Sequence, residues 1–135
     1  MKKNILILES DEGLREAIKL ILESDYRLLF VNDEAEAEEH LSIHDISLFI
    51  IDVNGLQDAF SALKHIKTLR SDLKILLLST HFELSFQEAA VKIGHNIYFQ
   101  EKPFDPKNLK KRIDAFIRGD SLVRHKYVVY IPKTI

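Results

Sequence analysis

The chain has 135 residues, of which 46% are hydrophobic and 30% charged, a globular balance that suits one domain with a real core and leaves no room for two. A formal net charge of -2 gives no electrostatic footprint for nucleic acid. The absence of cysteine removes disulfides, thiolate zinc sites and a Cys nucleophile.

The charge is unevenly placed. From Glu101 to Ile135 nine Lys or Arg stand against four Asp or Glu, a pattern that solvated helix faces of opposite composition would also give. Met1 to Asn4 is followed by only four apolar residues before Glu9, too few for the core of a secretion signal. No apolar run approaches the length of a membrane span, so a cytoplasmic protein without membrane contact is the expectation.

In chain order, Ile5 to Leu8 is a continuous apolar run, the mark of a strand buried on both faces. Residues 11 to 24 switch to helical period, with Leu14, Ala17, Ile18, Ile21 and Leu22 on one stripe. Leu28 to Val31 is a second strand, and Asn32 or Asp33 caps a helix to about Leu41 that offers only Ala35, Ala37 and Leu41 for burial. Ile46 to Ile51 is a third strand that stops at Asp52. A loop with Asn54-Gly55 precedes a helix over 58 to 70 with the stripe Phe60, Leu63, Ile66 and Leu69. Leu73 to Leu78 is a fourth strand, and a weaker helix from Ser85 to Ile93 ends at Gly94, read as a left-handed cap. Ile97 to Phe99 is a fifth strand. After the Lys102-Pro103-Phe104 turn, Asp105-Pro106 opens a last helix with the stripe Leu109, Ile113, Phe116 and Ile117, closed by Gly119.

Five short strands alternating with five helices predict an α/β fold, a parallel sheet covered on both faces. Right-handed crossovers leave few topologies, and the flavodoxin-like doubly wound order 2-1-3-4-5 is one of them. Residues 1–119 form the domain in this reading. Residues 120–135 are an extension or linker in which Tyr127 to Ile131 is strand-like and Pro132 ends it, an arm for the sheet edge or for a partner.

Ligands of such a sheet sit beyond the carboxyl ends of its strands, here Glu9-Ser10-Asp11, Asp52, Ser79-Thr80 and Lys102. Acidic clusters at neighbouring strand ends repel unless a cation lies between them, and Mg²⁺ suits one or two carboxylates plus waters and phosphoryl oxygens. A carboxylate beside it can attack phosphorus, while an ammonium and a hydroxyl stabilise the transferred oxygens. Asp52, Lys102 and Ser79 are of the right chemical types for these roles.

Over residues 4 to 118 the chain resembles a response-regulator receiver domain of two-component signalling. The resemblance rests on five features in order: the acidic cluster after the first strand, Arg15 in the next helix, Asp52 ending the third strand, Ser79 ending the fourth, and Lys102-Pro103-Phe104 after the fifth. It implies that Asp52 is the phosphoacceptor, that Lys102 contacts the phosphoryl group through a cis Lys102-Pro103 turn, and that Ser79 is the switch hydroxyl. It also implies that Tyr98 is an aromatic switch turning inward as Ser79 moves toward the phosphate, and that Asn54 offers its backbone carbonyl to Mg²⁺ beside Glu9 and Asp52. The implied partners are a histidine kinase or phosphotransfer protein and a downstream protein target, with no nucleic acid bound by this chain alone and a homodimer by analogy. No enzyme activity beyond self-phosphorylation and autodephosphorylation is implied.

The departures from the pattern are as specific. The usual adjacent acidic pair is here Glu9 and Ser10, which leaves Ser10 or Asp11 as the further metal candidate, and Asp11 equally suits a helix start. One residue more than usual between Gly94 and Lys102 suggests a bulge near Gln100-Glu101. Lys102 is read as an exposed lysine with little weight in folding. Two other functions stand beside the receiver: a pseudo-receiver that binds proteins without efficient phosphorylation, and an aspartate-nucleophile phosphatase suggested faintly by Phe49 to Gly55. His40 and His44 have a zinc-compatible spacing without a third ligand.

Overall fold

The structure, a computed structural model, describes residues 1–119 and 130–131. Strand β1 (Lys3–Leu8) leads to α1 (Glu12–Leu22), β2 (Tyr26–Val31) to α2 (Glu34–Ile43), and β3 (Ile46–Asp52) through a 3₁₀ turn (Val53–Gly55) to α3 (Ala59–Leu69). Then come β4 (Ile75–Ser79), α4 (Leu84–Ile93), β5 (Ile97–Glu101), α5 (Pro106–Arg118) and a short β6 (Tyr130–Ile131). All neighbouring strands pair in parallel, and β1 to β5 take the order 2-1-3-4-5 foreseen from the sequence. Of the predicted strand-like run Tyr127–Ile131, the part outside the described residues is not characterised; Tyr130 and Ile131 add a sixth strand to the outer edge of β5.

The interiors of β1, β3, β4 and β5 are mostly apolar because both of their faces are buried. Ile5, Ile7, Leu48, Ile50, Leu76, Leu78 and Tyr98 point to a core under α1 and α5. Leu6, Leu8, Phe49, Ile51, Ile75, Leu77 and Phe99 point to a second core under α2, α3 and α4. Four of the five α-helices start at side-chain caps, with Asp11, Asp33, Asp58 and Asp105 accepting from the backbone N–H of Leu14, Glu36, Ser61 and Lys107, whereas α4 begins after Glu83 without one.

Several expectations are corrected. Gly94 has φ of 172°, an extended conformation, and the left-handed residue of that turn is Asn96 at φ 63°. No bulge occurs in β5, since Ile97 to Glu101 pair one to one with Ile75 to Ser79. Ala35 and Leu69 are exposed, while Lys67 is buried. Among the described residues no helix is long and apolar enough to cross a membrane.

Lys67 shows why helical period alone misassigns that face. Its ammonium donates to the carbonyls of Ser71, Leu73 and His95, at 3.0, 2.7 and 2.6 Å, tying the loops before β4 and β5 together. Burial pushes its pKa down to about 8 from the usual 10.5. Between those values the unfolded chain holds the proton that the folded chain has lost, so stability attributable to Lys67 rises with pH across that window. Chemical denaturation of the protein and of Lys67→Met at pH 7 and pH 10.5 measures this. The variant is expected to lose about 2–4 kcal/mol at pH 7, from three unpaired carbonyls, and the gap between the two proteins is expected to widen by roughly 2 kcal/mol at the higher pH.

Candidate functional site

The carboxyl ends of β1, β3, β4 and β5 meet at one rim, and the sequence places a polar residue at or just beyond each. Glu9 follows β1 and is 1% exposed, Asp52 ends β3 and is 7% exposed, and Ser79 ends β4 and is 1% exposed. The Lys102 backbone N–H donates to the Ser79 carbonyl at 2.8 Å, which carries the β4–β5 ladder one step further and fixes Lys102 at the rim. Its ammonium lies 3.0 Å from Glu9 Oε1 and 3.3 Å from Asp52 Oδ1.

Lys102 is therefore not the exposed lysine expected. Its side chain is only 18% exposed, wedged between two buried carboxylates whose mutual repulsion it offsets. Glu9 Oε2 accepts the Asp11 backbone N–H at 3.1 Å, while the buried Oε1 has no directed hydrogen bond and meets Lys102 through charge alone. Asp52 Oδ1 accepts the Asn54 N–H at 3.1 Å, so the 3₁₀ turn after β3 holds that carboxylate.

The remaining candidates divide. The Asp11 carboxylate accepts from Leu14 N–H at 2.8 Å and is spent on capping α1; Ser10 is exposed on the same loop. The Asn54 side-chain carbonyl accepts the Thr80 N–H at 3.3 Å, linking the loops after β3 and β4. Ser79 Oγ donates to the His81 carbonyl at 2.7 Å and accepts the His81 N–H at 3.2 Å, so the hydroxyl is engaged by its own loop. Tyr98 is already inward, 7% exposed, with its ring stacked 4.1 Å from that of Phe116. The Lys102–Pro103 peptide is cis, as the resemblance implied. His81 escaped the sequence reading because it holds Ser79 through backbone atoms that any residue would supply. His40 and His44 stack at 5.5 Å, and among the described residues no three His, Cys, Asp or Glu side chains gather as a metal-binding group.

Comparison with known proteins bears on the fold and the family. The family model for the response regulator receiver domain matches residues 5–114. The transcriptional regulatory protein CrdR of Helicobacter pylori is 28% identical over 127 residues, covering 90% of this chain and 58% of CrdR. The transcriptional regulatory protein FixJ of Bradyrhizobium diazoefficiens is 28% identical over 120 residues, covering 87% of this chain and 58% of FixJ. The chain thus spans less than two thirds of these relatives. A response regulator from Thermotoga maritima superposes with a TM-score of 0.76 at 22% identity, covering 87% of this chain and 99% of that one. A CheY-like receiver domain protein from Methanospirillum hungatei gives 0.78 at 20%, covering 88% and 96%; both likenesses concern the fold. With the family model matched over residues 5–114 and the sheet in the order 2-1-3-4-5, the chain belongs to the response regulator receiver domain family.

Proposed function

We propose that Asp52 accepts a phosphoryl group from a histidine kinase or a phosphotransfer protein, and that the receiver unit of residues 1–119 passes the change to a downstream protein. The observation that carries this reading is the Lys102 ammonium held within 3.3 Å of the Asp52 carboxylate. An Asp52 oxygen attacks phosphorus, the P–N bond of the phosphohistidine donor breaks, and its electron pair returns to the imidazole nitrogen. Lys102 then neutralises and hydrogen-bonds the transferred oxygens. For Ser79 to join them, its two bonds with His81 must open. The burial of Tyr98, with its ring against Phe116, supports a part for it in the switch.

Mg²⁺ suits the donors present. Glu9 Oε1 is buried without a directed partner, Asp52 is a second carboxylate, and the Asn54 backbone carbonyl would add a neutral oxygen. A bound ion would neutralise charge on the phosphoryl oxygens, and Mg²⁺ tolerates such a sparse protein set because it keeps its own waters. Asp11 is committed to α1 and Ser10 carries no charge, which makes the site a weak one.

Three measurements test the reading. Incubation with acetyl phosphate or phosphoramidate and Mg²⁺ is expected to add about 80 Da to the intact mass, the weight of one phosphoryl group, and the adduct is expected to vanish in Asp52→Asn. Absence of an adduct in the unaltered protein would leave a protein-docking module instead. Lys102→Ala is expected to abolish the response and to cost about 2–4 kcal/mol of stability by denaturation, because two buried carboxylates lose their counter-charge; adding Glu9→Gln is expected to recover part of that loss. Ser10→Asp is expected to tighten Mg²⁺ binding about tenfold in titration calorimetry, by restoring a second charge on the β1 loop. An unchanged affinity would mean that the ion does not sit there.

A further inference from the structure

On the side of the sheet away from α1 and α5, two helices leave a gap between them. Both α3 and α4 are crossovers between parallel strands, so each returns against the strand direction and the two run side by side in the same sense. Helix α3 lines the gap with Phe60, Lys64 and Lys67, and α4 lines it with Glu88, Ala89 and Lys92. The space is about 580 Å³, a size that suits a small molecule.

The width of the gap is set at both ends. Helix α3 follows the turn after Asp52 and α4 follows the loop after Ser79. Between those two loops the Asn54 side-chain carbonyl accepts the Thr80 N–H at 3.3 Å. At the other end Lys67, 5% exposed, donates to the carbonyls of Leu73 and His95, which precede β4 and β5. A gap held open by such ties receives a ligand without rearrangement, and preorganisation of this kind favours binding.

The charge of the gap is unbalanced. Glu88 is the one carboxylate among its lining residues, against three lysines. The Lys67 ammonium is engaged by carbonyls, but Lys64 and Lys92 are exposed and, among the described residues, have no carboxylate within ion-pair distance. The Lys64 ammonium also lies 5.8 Å from the centre of the Phe60 ring, so a cation and an aromatic face stand together. Ala89 and Ile93 add an apolar wall. We propose that the α3–α4 gap binds a small amphiphilic anion, a flat ring system carrying one carboxylate, with the ring against Phe60 and Ala89 and the charge met by Lys64 and Lys92. A partner helix is too large, since ten helical residues fill a cylinder of about 1,200 Å³, roughly twice the gap. The site is separate from the carboxylate rim and does not require that Asp52 be phosphorylated.

Titration of the full chain with naphthoate, and with its neutral counterpart naphthamide, followed by amide NMR, tests the proposal. Naphthoate is expected to give saturable shifts concentrated at Phe60, Lys64, Ala89 and Lys92 and to bind about tenfold more tightly than naphthamide. Lys64→Gln/Lys92→Gln is expected to weaken naphthoate about tenfold, and Glu88→Gln to tighten it about threefold, the scale on which exposed charges act. These substitutions alter exposed side chains, so the spectrum outside α3 and α4 is expected to stay that of the folded protein. Shifts that do not saturate, equal binding of the two probes, or an affinity unchanged in the lysine variant would overturn the proposal. So would naphthoate shifts confined to the rim of Glu9, Asp52 and Lys102, which would mean that the anion seeks the Lys102 ammonium instead.

Discussion

A strand buried on both faces has nowhere to put a charge except at its ends. In this protein β1, β3, β4 and β5 all lie between two helical layers, and their interiors are almost wholly apolar. Parallel pairing then sends all their carboxyl ends to the same rim. Glu9, Asp52, Ser79 and Lys102 are brought together by this constraint, although ninety-three positions separate the first from the last. The chemistry of the site is thus a by-product of how the core is covered.

Bringing two carboxylates into that rim creates a problem that Lys102 answers. Neither Glu9 nor Asp52 is open to bulk water, and an uncompensated pair of buried negative charges would weigh against folding. In the proposed function the same ammonium would also meet the oxygens of a phosphoryl group, so that folding and signalling would share one cation. Its burial between the two carboxylates is why Lys102 cannot be treated as a surface residue.

The edge beyond β5 follows from the same architecture. From β3 onward each new strand lies beside the one before it, and Tyr130–Ile131 extend that order beyond β5. Arg112, Phe116 and Tyr98 form a stack beneath that edge, and burial holds the Arg112 pKa down to about 10.

Much of this was legible in the residues themselves. Apolar runs ending at acids marked the strands, Asp and Pro marked the helix starts, and the order of Asp52, Ser79 and Lys102-Pro103-Phe104 marked the family, because each signal is local and carried by side-chain type. Periodicity misjudged Lys67, Ala35 and Leu69, since which residues of a helix are buried depends on the neighbouring loops and helices as well as on its own period. It also misjudged Gly94, whose neighbour Asn96 takes the left-handed turn. What only the tertiary structure decided is where each polar group spends its bonds: Asp11 on the α1 cap, the Ser79 hydroxyl on His81, the Lys102 ammonium between Glu9 and Asp52, and Tyr130–Ile131 on β5. Those choices are made between groups distant in the chain, through distances and directions that residue type and spacing do not encode.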